Sequence, residues 1–330
     1  MAATRRISTM ALAMTLVLMT LSGECLGQLK VGFYKGKCRN YNVEKIVYDT
    51  VKDQFSRDPS LVAALVRMQF HDCWIRGCDA SILLEGPNTE KSAGVNVGIR
   101  GYSLIDSVKA ALERACPGVV SCADIIVMAT RVTVFLARGK WYDVETGRRD
   151  GTVSIGNEAN RQIPGANIPV PLAIQQFAAK GIGKEDFVLL LGGHTVGVAH
   201  CFFFQDRLYN FNNVPGRTDP RMNPDLARKL KQTCPRSGDG RNFAFLDQSH
   251  PASVFTVGNG YFVAIRMLKG VLQIDQDLAL DPSTAPLVAK YSMNQDLFND
   301  KFGDAMVKLG RVGVLTGYQG QIRRSCRSLN

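Results

Sequence analysis

The eight cysteines spread along most of this 330-residue chain constrain its fold more than any other feature. They are Cys38, Cys73, Cys78, Cys116, Cys122, Cys201, Cys234 and Cys326. An even number of cysteines in an exported chain indicates disulfide bridges, although the spacings alone permit on the order of a hundred pairings. Zinc ligation is the alternative, but the spacings Cys73-x4-Cys78 and Cys116-x5-Cys122 are unlike those of structural zinc sites. The chain is therefore predicted to be held together by disulfides.

A ninth cysteine, Cys25, falls in an N-terminal stretch with the layout of a secretory signal. Arg5 and Arg6 precede an apolar run over 10–21, and small residues at 25–27 precede Gln28. The run is shorter than the roughly 20 residues that span a bilayer, which argues against the alternative of an uncleaved anchor. We interpret residues 1–27 as a signal peptide that is removed, so that the mature domain spans 28–330. We expect no membrane-spanning segment after it.

The charge of the chain is strongly basic, with a formal net value of +11. Removal of residues 1–27 takes away two arginines and one glutamate and leaves +10. Such a surface should associate with polyanions. No dense Lys/Arg run with interleaved aromatics indicates nucleic acid, so outside the cell we expect acidic cell-wall polysaccharide as a partner. We expect a monomer.

Hydrophobic periodicity favours helices over strands throughout the chain. Apolar residues recur at helical spacing over 43–55, 61–68, 102–115, 121–139 and 186–197. The Gly/Pro-rich stretch 147–171 is long enough to predict a crossing between two helical lobes. The fold class predicted from these patterns is mainly α, with disulfide-pinned loops.

Two histidines lie in unusual settings. Arg67 and His71 are one helical turn apart, follow the apolar stretch 61–65, and are followed at once by Asp72 and Cys73. His194 follows two glycines, each of which costs about 1 kcal/mol within a helix and is tolerable where the backbone approaches something bulky and flat. A hydrogen-bonded core histidine is the plainer reading of either residue alone.

These residues belong to an ordered set of motifs that resembles the secreted class III plant haem peroxidases over nearly the whole mature chain. The motifs are FHDC (70–73), GCDAS (77–81), TEK (89–91), GRRD (147–150), GGHT (192–195), DRLYNF (206–211) and QGQIRRSC (319–326). The resemblance implies a two-lobed helical fold with haem b between a distal lobe and a proximal lobe. The distal lobe would comprise about 28–165 plus the C-terminal segment, and the proximal lobe about 166–310. The implied reaction is reduction of hydrogen peroxide with one-electron oxidation of small phenols.

On the distal side, the resemblance assigns His71 as the base that moves a proton between the two peroxide oxygens, which requires a neutral imidazole. Arg67 would lower the proton affinity of His71 and stabilise charge on the departing oxygen. Asn96 would accept from the other ring nitrogen and fix the tautomer. Phe70 would shield the iron-bound oxygen.

On the proximal side, the resemblance makes His194 the axial iron ligand and Asp275 the acceptor of its outer N–H. A carboxylate there makes the ligand more electron-rich and favours O–O cleavage. Pro164 matches the proline that contacts the donor in this family, and Phe203 matches a nearby aromatic. A surface acid, a loop proline and a core phenylalanine are their plainer readings.

The loop after the distal residues resembles a calcium site. Its hard oxygen ligands would be the Asp72 and Asp79 carboxylates, the Ser81 hydroxyl and the carbonyls of Ile75 and Gly77. The resemblance also implies four bridges and a buried ion pair of Arg148 with Asp124. The bridges would be Cys73–Cys78, Cys38–Cys116, Cys122–Cys326 and Cys201–Cys234.

A second calcium site, on the proximal side in this family, departs from the family pattern here. Thr195 and Asp247 match, but Gly258 stands where a second aspartate is expected, and the stretch between is about three residues longer by resemblance. Loss of one of two carboxylates weakens a hard-cation site, so this site is predicted to be weak or empty. Backbone carbonyls and water filling the gap are the alternative.

Two rival functions follow from other classes of protein. A haem-binding or electron-transfer protein needs His194 but not the pair Arg67 and His71. A disulfide-rich binding module without a cofactor needs neither the glycines before His194 nor Asn96. The chain stops four residues after Cys326 without the apolar extension often found on vacuolar members, so we expect secretion to the extracellular space or cell wall.

Overall fold

The computed structural model describes residues 29–238, 241–250 and 254–330. The predicted signal peptide and Gln28 lie outside the described residues. The described part of the chain forms thirteen α-helices and four short strands, so the prediction of a mainly helical fold is confirmed. Among these helices, none combines the length and apolarity that a membrane crossing requires.

The connections between successive helices range from two residues, between α12 and α13, to 26 residues, between α2 and α3 and between α9 and α10. Their bounds are α1 Val43–Phe55, α2 Leu61–Ile75, α3 Tyr102–Ala115, α4 Cys122–Leu136, α5 Gly156–Gln162, α6 Val170–Ala179, α7 Lys184–Leu191, α8 Gln205–Tyr209, α9 Pro224–Thr233, α10 Gly260–Arg266, α11 Gln273–Leu280, α12 Ala285–Ser292 and α13 Gln295–Leu309. Strands β1 (Lys30–Val31) and β2 (Glu145–Thr146) pair antiparallel, as do β3 (Val198–His200) and β4 (Phe243–Phe245).

Polar caps set several helix starts. The Asn42 side chain accepts a hydrogen bond from the backbone N–H of Lys45 at the start of α1, at 3.1 Å. The Ser121 hydroxyl does the same for the N–H of Asp124 at the start of α4, also at 3.1 Å. A side-chain acceptor at this position satisfies one of the donors that a helix leaves open at its N-terminus. These starts are therefore encoded locally.

Two helical predictions differ from the structure. The periodic stretch 186–197 is helical only to Leu191, and a 3-10 turn over Gly192–Thr195 follows. A Cβ on Gly192 would lie 2.6 Å from the Phe298 ring and 3.0 Å from the Phe262 ring. The bulky, flat groups that require this glycine are thus core aromatic rings. The stretch 147–171 was predicted as loop, but it contains α5.

All four predicted disulfides are confirmed: Cys38–Cys116, Cys73–Cys78, Cys122–Cys326 and Cys201–Cys234. The Cys122–Cys326 bridge joins residues 204 positions apart and fastens the C-terminal segment to the start of α4. The Cys73–Cys78 bridge closes the loop at the end of α2.

The core consists of two hydrophobic clusters. One forms around α1, α3 and α4 and includes Cys326, whereas the other forms around α6, α7 and α10–α13. Helix α2 contributes to both, with Leu65 in the first and Val62 and Trp74 in the second. The residues on α2 are therefore held between two packed regions. The boundaries given above for the two lobes stay a prediction.

The predicted ion pair of Arg148 and Asp124 is present and buried. Arg148 Nη1 lies 2.9 Å from Asp124 Oδ1, and the Tyr34 hydroxyl donates to Asp124 Oδ2 at 2.7 Å. Arg148 Nε also donates to the Gly310 carbonyl at 2.9 Å. Arg148 thereby links Asp124 on α4 to the end of α13. Loss of either charged partner would leave the other charge buried and uncompensated, which is strongly destabilising.

Candidate active site

Arg67 and His71 meet on one side of α2, as their spacing predicts. Arg67 Nε donates to Nε2 of His71 at 3.3 Å, and one Nη of Arg67 donates to the Val95 carbonyl at 3.0 Å. The guanidinium is thereby fixed beside the imidazole. It is a permanent positive charge next to a titratable ring.

Asn96 contacts the opposite nitrogen of the same ring. Its Oδ1 lies 2.6 Å from His71 Nδ1, and its Nδ2 donates to the Glu90 carbonyl at 2.7 Å. An amide oxygen only accepts, so Nδ1 of His71 must carry the hydrogen and Nε2 must carry the lone pair. Burial, followed by the charge of Arg67, lowers the pKa of His71 to about 3. The imidazole is therefore neutral at physiological pH and presents a basic nitrogen.

Phe70 is set against the same ring by aromatic packing. It contacts His71 edge-on with 5.9 Å between the ring centroids, and it lies 5.9 Å from Phe177 and 5.1 Å from Trp74. Trp74 Nε1 in turn donates to the Gln162 carbonyl at 2.7 Å. These contacts also fasten the end of α5, and with it the loop that carries Pro164, to helix α2.

His194 lies in the 3-10 turn after α7, with its ring half-exposed. Its Nδ1 is 2.8 Å from Oδ1 of Asp275, a residue 81 positions away on α11. The Tyr261 hydroxyl donates to the same carboxylate oxygen at 2.9 Å. Tyr261 is buried, and burial together with Asp275 raises the pKa of its phenol well above 10. The phenol stays protonated and the carboxylate accepts from both groups.

Sequence reasoning did not find Tyr261. It lies within GNGYF (258–262), and only the packing of α10 against α11 brings its hydroxyl to Asp275. Gly193 was recognised only as a costly residue in a helix. A Cβ at Gly193 would lie 3.2 Å from the Val66 side chain, so the turn carrying His194 packs closely on α2.

Of the predicted distal calcium ligands, Asp72, Asp79 and Ser81 are grouped in the loop at the end of α2. The Ile75 carbonyl accepts from Lys180 Nζ at 3.5 Å, and the Gly77 carbonyl accepts from the Asp79 N–H at 2.8 Å. The two Asp72 oxygens accept from the backbone N–H groups of Ala80 and Ile82 at 3.0 and 3.4 Å. Asp79 Oδ1 accepts from the Ser81 N–H at 3.0 Å. Cys73–Cys78 closes the loop between them.

Asp72, Asp79 and Glu90 form an acidic cluster whose negative charge is not fully balanced by nearby positive groups. Burial, then repulsion from Asp79 and Glu90, raises the pKa of Asp72 well above its ordinary value, and burial raises that of Asp79. Burial raises the pKa of Glu90, a residue that sequence reasoning passed over, to about 8. Within the described residues the Ser81 hydroxyl and both Glu90 carboxylate oxygens are buried and have no partner at hydrogen-bonding geometry, although the Ser81 side chain lies near enough to Asp79 and Glu90 to lower their pKa values somewhat. These features fit a cation held by oxygen atoms.

Metal sites built from three or more His, Cys, Asp or Glu side chains are absent from the described residues. The predicted distal set differs from such a site because it uses only two carboxylates, with a hydroxyl and main-chain carbonyls as the remaining ligands. Calcium accepts such mixed oxygen ligands.

The predicted proximal calcium ligands are only partly assembled. The Thr195 hydroxyl is buried and has no hydrogen-bond partner within the ranges that the structure describes. Asp247 is also buried, and its Oδ1 accepts from the Ser249 N–H at 2.8 Å. At Gly258 a Cβ would lie 3.3 Å from Oε1 of Gln295. The second carboxylate of the family pattern is missing, and residues 251–253 between these positions lie outside the described residues.

Pro164 and Phe203 occupy different segments. Pro164 is half-buried in the connection between α5 and α6. Phe203 ends the 3-10 turn that follows β3 and is partly exposed. Their predicted part in donor binding stays a prediction.

Comparisons with known proteins identify this arrangement. A family model described as Peroxidase matches residues 47–294. Peroxidase 28 of Arabidopsis thaliana is 48% identical over 319 residues, which cover 96% of this chain and 97% of the relative. Peroxidase 5 of Vitis vinifera is 42% identical over 330 residues, which cover 99% of each chain. The chain therefore belongs to the peroxidase family, and within it to the class III plant peroxidases.

Membership makes the chain an enzyme that depends on haem and uses hydrogen peroxide; the reading as a haem protein without peroxidase turnover is not favoured. The residues present fit the haem. Asp275 engages Nδ1 of His194, which leaves Nε2 of this half-exposed ring as the nitrogen for an iron. His71, by contrast, is buried and neutral, and Asn96 holds its Nδ1 hydrogen so that Nε2 carries the lone pair, which suits a base.

Proposed function

We propose that this peroxidase takes its electrons from small phenols and that His71, Arg67 and Asn96 carry out the proton chemistry on hydrogen peroxide. Bound haem, held through His194, would supply the iron at which peroxide binds and the oxidising equivalents that donors later reduce. The single observation that carries the proposal is the geometry of His71, whose Nδ1 is held by Asn96 and whose Nε2 lies beside Arg67.

His71 Nε2 is the group that would move the proton. Its lone pair would take the proton from the near oxygen of peroxide, and the resulting N–H would deliver it to the far oxygen. Asn96 keeps the hydrogen of the free ring on Nδ1, so the ring always presents the basic nitrogen. The low proton affinity of His71 also favours delivery of the proton to the far oxygen, because a more basic histidine would retain it.

Arg67 would stabilise the negative charge that develops on the departing oxygen. Its guanidinium is held by the Val95 carbonyl, so little reorganisation is needed during the reaction. Phe70, packed on Trp74 and Phe177, would restrict the space beside His71 to small molecules such as peroxide. Small phenols would instead approach near Pro164 and Phe203.

Asp275 would keep His194 electron-rich. Its carboxylate accepts the Nδ1 hydrogen of His194, which raises the basicity of the ligating nitrogen. We further propose that the Asp72 and Asp79 carboxylates, the Ser81 hydroxyl and the carbonyls of Ile75 and Gly77 bind calcium and brace α2. The incomplete set at Thr195 and Asp247 would bind it weakly or not at all. Secretion to the extracellular space or cell wall follows from the signal-like N-terminus and the four disulfides.

The test of this proposal is His71→Ala compared with His194→Ala. Loss of the base in His71→Ala should slow the reaction with peroxide by at least about 10²-fold while haem stays bound. His194→Ala should lose or weaken haem binding. Stopped-flow absorbance and the haem-to-protein ratio give the two readouts. Near-normal peroxide rates in His71→Ala would remove the proposed base, and unchanged haem spectra in His194→Ala would remove the proposed ligand.

A further inference from the structure

An exposed aromatic surface lies next to the turn that carries His194. The turn leads into β3, and β3 pairs with β4 so that Val198 faces Phe245 and His200 faces Phe243 across the strands. In both strands the outer residues are exposed and the middle alanine is buried. The 3-10 turn after β3 adds Phe202 and Phe203.

The four phenylalanines, which we call the aromatic patch, leave much of their surface in solvent. Their exposed fractions are 77% for Phe202, 39% for Phe203, 47% for Phe243 and 37% for Phe245. Together these equal about two fully exposed phenylalanines, or roughly 400 Å². Apolar patches of about 300–600 Å² are the largest that a typical monomer shows and are often functional.

The rings form two edge-on pairs. Phe202 and Phe203 lie 5.7 Å apart, and Phe243 and Phe245 lie 6.1 Å apart, measured between centroids. Edge-on pairs leave ring faces open for further aromatic groups to stack upon. At the border of the patch, His200 Nδ1 donates to the Arg241 carbonyl at 2.9 Å, so its Nε2 is an acceptor for a hydroxyl.

We propose that the aromatic patch binds phenolic donors with two or more linked aromatic rings, which extend from Phe203 across Phe202, Phe243 and Phe245. This inference rests on the proposed function. Ring faces suit planar aromatic groups, and the hydroxyl acceptor at His200 suits a phenol. The Cys201 N–H donates to the Asn242 carbonyl at 2.8 Å, which brings the segment of Phe202 and Phe203 beside that of Phe243. Phe203 is the predicted donor contact, so the patch would begin where single-ring phenols would react.

A protein partner or a second copy of the chain fits the patch less well. A stable interface buries about 800 Å² on each partner, roughly twice what the patch offers. Two copies of a chain with net charge +11 also repel one another. A multi-ring ligand is small enough to be covered by the patch.

The experiment compares 2-methoxyphenol with its biphenyl-linked dimer, using the haem-loaded enzyme. The variants are Phe202→Ser and the double change Phe243→Thr with Phe245→Thr, because threonine keeps strand propensity. The control is Phe255→Ser, which removes a phenylalanine outside the patch whose exposed fraction, 41%, is close to those of Phe243 and Phe245. Each variant should lower kcat/KM for the dimer by about 10-fold and leave the single-ring phenol within about 2-fold. The control should change neither.

A second readout is binding of the dimer without peroxide, measured by equilibrium dialysis. Its Kd should rise by about the same factor as kcat/KM falls. The proposal would be overturned if the patch variants kept the native ratio of kcat/KM for the dimer to kcat/KM for the single-ring phenol, and also kept the native Kd for the dimer. Two other results would also overturn it. In the first, the native enzyme self-associates, and in the second, it binds phospholipid vesicles; in both, a patch variant abolishes that association while it still oxidises the dimer normally. Failure to oxidise even the single-ring phenol would instead contradict the proposed function, and dialysis would still decide whether the patch binds the dimer.

Discussion

Tyr261→Phe should make His194 a stronger electron donor to the iron. In the native enzyme Asp275 Oδ1 accepts from both His194 Nδ1 and the Tyr261 hydroxyl, at 2.8 and 2.9 Å. Its other oxygen is buried without a hydrogen-bond partner in the part of the chain that the structure describes. Removal of the phenol therefore takes away one of two donors to this carboxylate. The remaining bond from His194 should become stronger and increase the electron density on the imidazole.

The magnitude follows from the kind of bond that is lost. A hydrogen bond to a charged group contributes about 1.5–3 kcal/mol, and we expect the variant to lose that much stability. If about half of this appears as preferential stabilisation of the ferric state, the reduction potential should fall by roughly 30–60 mV, since 1.4 kcal/mol corresponds to about 59 mV for one electron. Spectroelectrochemistry of the haem-loaded protein measures this shift.

Tyr291→Phe is the matched control. Tyr291 is likewise buried in the second hydrophobic cluster, but its hydroxyl donates to Glu185 at 2.6 Å and not to Asp275. Its replacement should lower stability and leave the potential unchanged. Equal potentials for native enzyme and Tyr261→Phe, with haem content unchanged, would refute the coupling of Tyr261 to His194.

Two further predictions concern ions. Because Gly258 replaces an expected carboxylate, dialysed enzyme should hold nearer one calcium per haem than two, and Gly258→Asp should raise the number; two tightly held ions in the native enzyme would contradict this. If residues 1–27 are removed as predicted, the enzyme carries a charge of +10 and should bind pectin-like acidic polysaccharide at low salt. It should be released at about 1 M salt, where the Debye length is near 3 Å. Binding that survives such salt would argue against an electrostatic attachment.

The sequence predicts best what depends on local spacing. The pairing of Arg67 with His71 follows from the helical period, and the structure brings the two side chains together. The contacts of His71 with Asn96 and of His194 with Asp275 were expected only through the family resemblance. Local spacing could not predict the contact of His194 with Asp275, because these residues are 81 positions apart. Helical periodicity failed after Leu191, where the α-helix gives way to a 3-10 turn and Gly192 leaves room for the rings of Phe298 and Phe262.

Features created by tertiary packing were not predictable in this way. Tyr261 reaches Asp275 only because α10 packs on α11, and a tyrosine in GNGYF gives no signal of that contact. The aromatic patch depends on strands of three residues each, too short for the alternation of buried and exposed residues to be recognised. Glu90 belongs to a motif that was noted, but its burial beside Asp72 and Asp79 appears only in the fold.

The acidic cluster at the end of α2 leads to a prediction about pH. Without calcium, burial holds the pKa of Glu90 at about 8 in the folded protein, against about 4.5 in the unfolded chain. Between these values the folded state binds more protons than the unfolded state, so stability should fall as pH rises from 4.5 to 8. A difference of about 3.5 pH units corresponds to about 5 kcal/mol for Glu90 alone.

Bound calcium should suppress this loss, because a divalent cation offsets the charge of Asp72, Asp79 and Glu90. Denaturant unfolding at several pH values, with calcium or with a chelator, measures the difference. Glu90→Gln should flatten the pH dependence of the calcium-free enzyme, whereas Asp143→Asn, at an exposed acid outside this cluster, should leave it unchanged. Because Asp72 directly follows His71, the calcium-free enzyme should also react more slowly with peroxide above pH 8. A calcium-free enzyme whose stability is the same at pH 5 and pH 8 would contradict the argument that uncompensated charge in this cluster loosens the helix that carries Arg67 and His71.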